Sequence, residues 1–164
     1  MQTTFVVSTQ AGTSSVRTSS VRKRILDEHR VLRDKLDVLE LLVDGLREEP
    51  KRCATVSRTA RDLLRRLVAH IQLEDAILAP VLRDVDAWGP VRASHLLEHH
   101  AEQREQLRSL IRSYGRQGTD IEELALRTLS WISDARADMD HEERGVLSRE
   151  LLDDAAVAID GEAG

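Results

Sequence analysis

Apolar residues recur every three or four positions along most of the chain, and this spacing predicts four long amphipathic helices. The first helix begins at Val21 and ends before Pro50. The second covers about residues 52–85 and contains Pro80. A proline removes a backbone donor inside a helix, so we expect a kink or an early end there.

Two further helices follow, separated by short polar breaks. The third runs from about residue 91 to 114, and the segment GRQGTD with its two glycines then interrupts the periodicity. Thr119 and Glu122 have the spacing of a capping box, so we expect the fourth helix to start near Asp120 and to continue to about Ala156. Four long helices with short connections predict an all-α fold, an antiparallel up-down four-helix bundle.

The two ends of the chain differ from this pattern. Residues 1–20 are rich in Ser and Thr and contain too little apolar surface to offset the entropy of ordering them. We therefore expect a disordered tail over residues 1–20, the bundle domain over residues 21–157, and a flexible C-terminus over residues 158–164.

Composition agrees with a helical fold and narrows the function. Aromatic residues make up 2% of the chain and charged residues 32%, a balance typical of helices packed by aliphatic side chains. The net charge of -5, with no basic patch, disfavours nucleic acid as a partner. Cys53 is the single cysteine, so no disulfide can form within the chain. Because the start of the chain lacks a basic segment followed by a long apolar run, we expect a cytoplasmic protein without a membrane anchor.

Several polar residues share the helical phase of the core leucines. His29 and His100 each lie seven residues before a leucine of the apolar stripe, and Glu74 lies seven residues after one. Since seven residues make nearly two helical turns, all three are expected to point into the core. His70 lies one turn before Glu74 on the same face. A buried carboxylate without a partner costs several kcal/mol, so we expect a cation beside Glu74.

This arrangement favours a metal site over an ordinary buried histidine. A single inward histidine is more often a hydrogen-bonded core residue than a ligand. Here a His-x-x-x-Glu pair on one helix is combined with inward histidines on two others, which brings nitrogen and oxygen donors to one point in a bundle. Mixed nitrogen and oxygen donors suit iron, manganese or zinc.

Four segments surround these residues in a fixed order along the chain: LDEHRVLRDKLDVLELL around His29, HIQLEDAILAPVL from His70, HLLEHHAEQREQLRSL around His100 and HEERGVLSREL from His141. Together they resemble the hemerythrin-like HHE cation-binding domains over about residues 22–152. The resemblance implies a four-helix bundle that holds a non-haem di-iron centre through histidines and carboxylates. Such proteins bind or sense dioxygen, peroxide or nitric oxide, or store iron.

The resemblance assigns ligands on the first three helices. His29 matches the ligand of the first helix, and His70 with Glu74 matches the His-x-x-x-Glu pair of the second. On the third helix the leucine phase favours His100. The neighbouring His99 stays a candidate because it ends an HLLEH motif with the His-x-x-x-His spacing of true hemerythrins.

The first histidine of that motif, His95, ranks below the other two. It lies about 120° around the helix from the core leucine Leu107, which favours a partly solvated position.

The fourth helix departs from the family pattern. Family members commonly have a histidine four residues before the first Glu of an acid-acid pair, and Asp138 stands at that position, while His141 directly precedes Glu142. Several interpretations stay open. Asp138 and Glu142 form a carboxylate-rich site, His141 reaches a metal from a rotated helix, or the site holds one metal only. The phase of Leu129 offers another, with Met139 and Glu143 pointing inward.

The resemblance implies a role in handling reactive oxygen or nitrogen species. Two adjacent ferrous ions can together supply two electrons to dioxygen. A carboxylate in place of an imidazole stabilises ferric iron and weakens reversible oxygen carriage. We therefore expect binding, sensing or detoxification of dioxygen, peroxide or nitric oxide, with enzymatic turnover left open. The alternative is a bundle without metal that acts as a regulatory or protein-interaction module, for example as a homodimer.

Overall fold

The computed structural model describes residues 11–46, 53–114, 116 and 120–152. Over these ranges the chain forms four long helices and a short one: α1 (Ala11–Asp44), α2 (Cys53–Val85), α3 (Gly89–Tyr114), α4 (Ile121–Arg144) and α5 (Arg149–Leu152). Helix α1 packs against α2 and α4, and α3 packs against the same two helices. The predicted all-α four-helix bundle is confirmed. No helix in these ranges has the length and apolar character needed to cross a membrane.

The first helix starts ten residues earlier than the periodicity predicts. It begins at Ala11 instead of Val21, so the segment expected to be a disordered tail is helical from Ala11 onward. Once a helix is nucleated, each added residue continues the hydrogen-bond ladder at little further cost, even for Ser and Thr. Thr18 is also buried, so this extension packs on the bundle. Residues 1–10 and 153–164 lie outside the described part of the chain, and the domain limits stay predictions.

The fourth helix ends earlier than predicted. It stops at Arg144 instead of continuing to Ala156, because Gly145 caps it. The backbone N–H of Gly145 donates to the carbonyl oxygens of His141 and Glu142, and the chain turns before α5. A glycine directly after a helix is the usual residue for such a stop.

Two local predictions for helix ends also change. The N-cap of α4 is Asp120, whose carboxylate accepts a hydrogen bond of 2.8 Å from the backbone N–H of Glu122. The predicted cap residue Thr119 lies outside the described residues. Helix α2 does not end at Pro80 but continues to Val85.

A tight turn joins α2 to α3. A Cβ atom at Gly89 would lie 2.1 Å from the carbonyl oxygen of Leu82, so the start of α3 can approach the end of α2 only with glycine here. Asp86 closes the turn by accepting hydrogen bonds from the backbone N–H of Trp88 and from the guanidinium group of Arg92. The two helices are thereby held side by side.

The apolar core is divided into two clusters. The larger cluster receives residues from all four long helices and includes Leu36, Leu64, Leu107 and Ile132. The smaller cluster lies at the other end of the bundle and includes Ile25, Leu78, Leu96 and Leu147. Helices α1 and α3 run from the smaller cluster to the larger one, whereas α2 and α4 run the opposite way, which is the up-down arrangement. Between the two clusters each long helix buries polar side chains.

Candidate metal centre

The buried polar layer contains histidines and glutamates from all four long helices. It consists of His29 from α1, His70 and Glu74 from α2, His100 from α3 and Glu142 from α4, here called the buried cluster. None of these residues is more than 7% exposed. Along the chain, the polar residues of each long helix lie between residues of the smaller and of the larger apolar cluster; for α4 the residue of the smaller cluster is Leu147, just beyond its end. The helical phase that packs the leucines therefore also brings these side chains together.

The two glutamates each direct their oxygens to different histidines. Glu74 Oε1 lies 3.3 Å from Nε2 of both His29 and His70, and Glu74 Oε2 lies 3.4 Å from Nε2 of His100. Glu142 repeats this division, with Oε2 at 3.4 Å from His29 Nε2 and Oε1 at 3.5 Å from His100 Nε2. The donors form two groups, one with two imidazoles and one with a single imidazole. Glu74 is common to both groups, and Glu142, which belongs to the second, also directs Oε2 to His29 of the first.

The dimensions of both groups fit a metal ion. In the set His29, His70 and Glu74, and in the set Glu74, His100 and Glu142, the donor atoms all lie within 4.8 Å of one another. Ligand bonds of about 2.0–2.2 Å place two donors on one ion about 2.8–3.6 Å apart. The nitrogen–oxygen distances in the buried cluster, 3.3–3.5 Å, fall in this range.

Some imidazole nitrogens in the buried cluster have no hydrogen-bond partner among the described residues. They are Nδ1 and Nε2 of His70 and Nε2 of His100. A buried polar atom without a partner costs about 1–3 kcal/mol, and native structures contain few of them. Both Nε2 atoms face carboxylate oxygens at distances where a cation between them would be bound by each. The donor set therefore fits a metal.

Two of the histidines are held from the outer side by a carboxylate. The Nδ1–H of His29 donates to Glu143 Oε1 over 2.9 Å, and the Nδ1–H of His100 donates to Asp75 Oδ1 over 2.6 Å. Such a partner fixes the tautomer, because the proton stays on Nδ1 and Nε2 is left to bind a metal. The outer carboxylates thus orient the imidazoles toward the shared glutamates.

Each outer carboxylate is in turn bound by an arginine. Arg33 donates to Glu143 Oε1 over 2.7 Å, and Arg104 donates to Asp75 Oδ2. Burial raises the pKa of Glu143, but the hydrogen bonds from Arg33 and His29 outweigh it, so the net pKa is lowered and the carboxylate stays charged.

The charges of the buried cluster are set by its own contacts. Burial by itself lowers the pKa of His29, but hydrogen bonds with three glutamates outweigh it and raise the pKa to about 10. Burial raises the pKa of Glu74, yet close contacts with the imidazoles of His29 and His70 outweigh it and lower the pKa to about 2. Burial also lowers the pKa of His100, but contacts with carboxylates outweigh this effect and the net pKa is raised. Without metal, a protonated His29 therefore lies beside the ionised carboxylates of Glu74 and Glu142.

Comparison with protein-family profiles shows which family this chain belongs to. The profile of the hemerythrin family, described as the hemerythrin HHE cation binding domain, matches residues 20–149, which include the whole buried cluster. This chain belongs to the hemerythrin HHE family. Searches of curated proteins and of solved structures returned no match.

A small cavity adjoins the buried cluster of this hemerythrin domain, between α2, α3 and α4. Its volume is about 40 Å³. Its lining combines residues of the buried cluster with apolar neighbours: His70, Glu74, Glu142, Ile71, Leu107 and Met139. One water needs about 10–15 Å³ by the same measure, so the cavity has room for a diatomic molecule or a peroxide.

Four residues predicted as ligands do not join the buried cluster. Glu143 is 29% exposed and meets the cluster from outside, at the outer nitrogen Nδ1 of His29. His99 is 46% exposed, and its Nε2 lies 3.7 Å from Oδ1 of the partly exposed Asp138. His141 is exposed. One residue along a helix turns the side chain by about 100°, so His99, His141 and Glu143, the chain neighbours of His100 and Glu142, point away from the cluster. Asp138 is instead bound by α3, where Gln103 Nε2 donates to its Oδ2 over 2.7 Å.

Three residues that support the cluster histidines from the outer side were not predicted from the sequence. Asp75 directly follows Glu74, and Arg33 and Arg104 lie one helical turn after His29 and His100. The repeated His-x-x-x-Arg spacing on α1 and α3 was a signal for these supporting residues, since side chains four residues apart lie on the same face.

Proposed function

We propose that this hemerythrin domain binds two iron ions in the buried cluster and uses them to bind, sense or detoxify dioxygen, peroxide or nitric oxide. The observation that carries the proposal is the division of oxygens at Glu74 and Glu142. A carboxylate that directs one oxygen to each of two donor groups is placed to bridge two ions. A single ion would use only one of the two groups.

The two donor groups would hold the ions unequally. His29, His70 and one oxygen from each bridging glutamate would hold the first ion, and His100 with the other oxygens would hold the second. The second group has fewer protein donors, and a metal site with fewer protein donors keeps positions for an external ligand. Iron bound there supplies the electrons for reducing an oxidant and the site for binding a gas.

The remaining residues prepare and protect the site. Asp75 and Glu143 orient His100 and His29, and the apolar clusters on both sides exclude bulk water. The cavity lined by His70 and the bridging glutamates admits only small molecules.

The donor set favours reaction over reversible oxygen carriage. The buried cluster combines three imidazoles with two carboxylates, and no histidine of α4 joins it. Carboxylate donors stabilise ferric iron more than imidazoles do. A bundle that functions without metal would leave the unpartnered nitrogens of His70 and His100 unexplained.

Anaerobic reconstitution with ferrous iron tests the proposal. The washed protein is exposed separately to dioxygen, hydrogen peroxide and nitric oxide, while near-ultraviolet and visible absorption and oxidant consumption are followed. We expect charge-transfer bands of an iron pair to appear with at least one of the three. The His70→Ala/Glu74→Ala variant should show none, and His141→Ala, which changes an exposed neighbour of Glu142, should behave as the wild type. Wild-type protein that takes up no iron, while circular dichroism shows the bundle folded, would exclude the proposal.

A further inference from the structure

Three histidines outside the buried cluster line one groove on the surface between α3 and α4. They are His95 and His99 on α3 and His141 on α4, and all three are exposed. The groove has a volume of about 360 Å³. Because the chain contains six histidines, every histidine belongs either to the buried cluster or to this groove.

The groove also contains a carboxylate that connects the two helices. Asp138 on α4 lies in its lining, with Oδ1 at 3.7 Å from His99 Nε2. His95 and His99 are four residues apart, and Asp138 and His141 are three apart, so each pair lies on one face of its helix. Two imidazoles from α3 and an imidazole and a carboxylate from α4 therefore line the same groove, with His99 and Asp138 as the pair in contact across it.

We propose that this histidine groove, defined by His95, His99, Asp138 and His141, is a second metal site that binds a divalent transition-metal ion at the protein surface. Imidazole nitrogens with one carboxylate oxygen are a donor set for zinc, cobalt, nickel or ferrous ions. The exposed side chains can rotate to meet an ion, and water completes the coordination on the open side. This site is independent of the proposed function.

The electrostatics of the groove permit a cation. Arg92 is the cationic side chain in the lining, and Asp86 binds it through two hydrogen bonds of 2.6 and 3.0 Å. Asp138 and Glu142 contribute negative charge to the same lining. An ion in the groove would therefore be attracted by carboxylates and would lie beside Glu142, which also belongs to the buried cluster.

Titration of tag-free protein with cobalt(II), followed by calorimetry and visible absorption, tests the groove site. We expect two classes of site in the wild type. The His95→Asn/His99→Asn/His141→Asn variant should lose the weaker class. Its affinity for cobalt in the groove should fall by more than the about 10–100-fold that a change to a residue in the outer shell of a metal site causes. It should keep the tighter class. Glu98→Gln, which changes an exposed acid of α3 outside the groove lining, serves as a matched control and should keep both classes.

The His70→Ala/Glu74→Ala variant separates this inference from the proposed function. It should lose the tighter class and keep the groove class. If it binds cobalt as the wild type does, the proposed buried centre fails while the groove class is still measured. If the triple groove variant binds the same number of cobalt ions with the same affinity as the wild type, the groove site is overturned. All substituted groove positions are exposed, so helical circular dichroism and thermal unfolding are expected to stay unchanged.

Discussion

The buried cluster and the histidine groove contain the same kinds of side chain, imidazoles and carboxylates, in opposite environments. His100 is fully buried, with its Nδ1 bound by a carboxylate and its Nε2 facing two others, whereas its chain neighbour His99 is 46% exposed. A rotation of about 100° along α3 separates these two environments. The difference teaches that helical phase, more than residue type, decides which histidines enter a preorganised centre. The predictions below test this contrast, starting from the largest expected effect.

Removing the α2 pair should abolish metal binding at the buried cluster. His70→Ala/Glu74→Ala deletes a donor from one group and a bridging carboxylate from both. We expect iron content after reconstitution and washing to fall from about two per chain to near zero, because binding free energy depends on the complete donor set. Elemental analysis measures this directly. The same substitutions also leave protonated His29 with fewer partners, so circular dichroism must show that the variant is folded; iron content equal to that of the wild type would exclude the pair as ligands.

Adjacent glutamates on α4 should differ in their effects. Glu142→Ala removes oxygens from both donor groups, and we expect the His100 group, with one imidazole, to lose its ion first, leaving about one iron per chain. Glu143→Ala removes only a support of His29 and should keep two. Elemental analysis of both variants compares them under the same conditions. Equal losses in the two would contradict the distinction between an inward and an outward acid.

Asp75, the outer carboxylate of α2, should affect the affinity for metal but not the number of ions bound. Asp75→Asn weakens the hydrogen bond that holds His100 and leaves Arg104 without its anionic partner, so metal affinity should fall about 10–100-fold. Competition with a coloured chelator measures the change. Asp140→Asn, at an exposed acid that contacts Arg33, is the matched control and should change affinity much less. An unchanged affinity in Asp75→Asn would remove the positioning role.

Metal affinity should rise with pH. The pKa of His29 is about 10 without metal, so this imidazole is protonated at neutral pH. It must lose a proton before its nitrogen can bind a metal. Below that pKa, the apparent metal affinity rises about tenfold per pH unit for each proton that metal binding displaces. Calorimetry in buffers of different ionisation enthalpy counts the released protons. Binding that is independent of pH between neutral and mildly alkaline conditions would contradict the charge state inferred for the cluster.

Much of the centre could be predicted from the sequence because helices preserve phase. His29, Glu74 and His100 were placed in the core by their spacing to leucines, and all three are buried. On α4 the prediction stayed open among Asp138, His141, Glu142 and Glu143. The phase was extrapolated over fourteen residues from Leu129, and small departures from ideal helical rotation add up over that distance. The core residue Met139 does not separate the two glutamates, because residues three and four positions after it lie on the same face of a helix; the structure buries Glu142.

Other features depended on packing between helices. The contacts of Asp75 with His100 and of Glu143 with His29 join side chains from different helices, and no spacing within one helix predicts such distances. The helical start at Ala11 also reflects tertiary packing, since local composition alone favoured a disordered segment. The early end of α4 at Gly145 was readable, because a glycine that directly follows a helix is a common stop signal.

The central claim is that Glu74 and Glu142 join two donor groups into one centre for two ions. The most direct test is Mössbauer and electron paramagnetic resonance spectroscopy of wild-type protein reconstituted with iron, washed and oxidised, together with its iron content. The account predicts about two iron per chain in one magnetically coupled ferric pair, as bridging ligands require. A folded protein that holds no iron, or holds only isolated ferric ions without coupling, would contradict it.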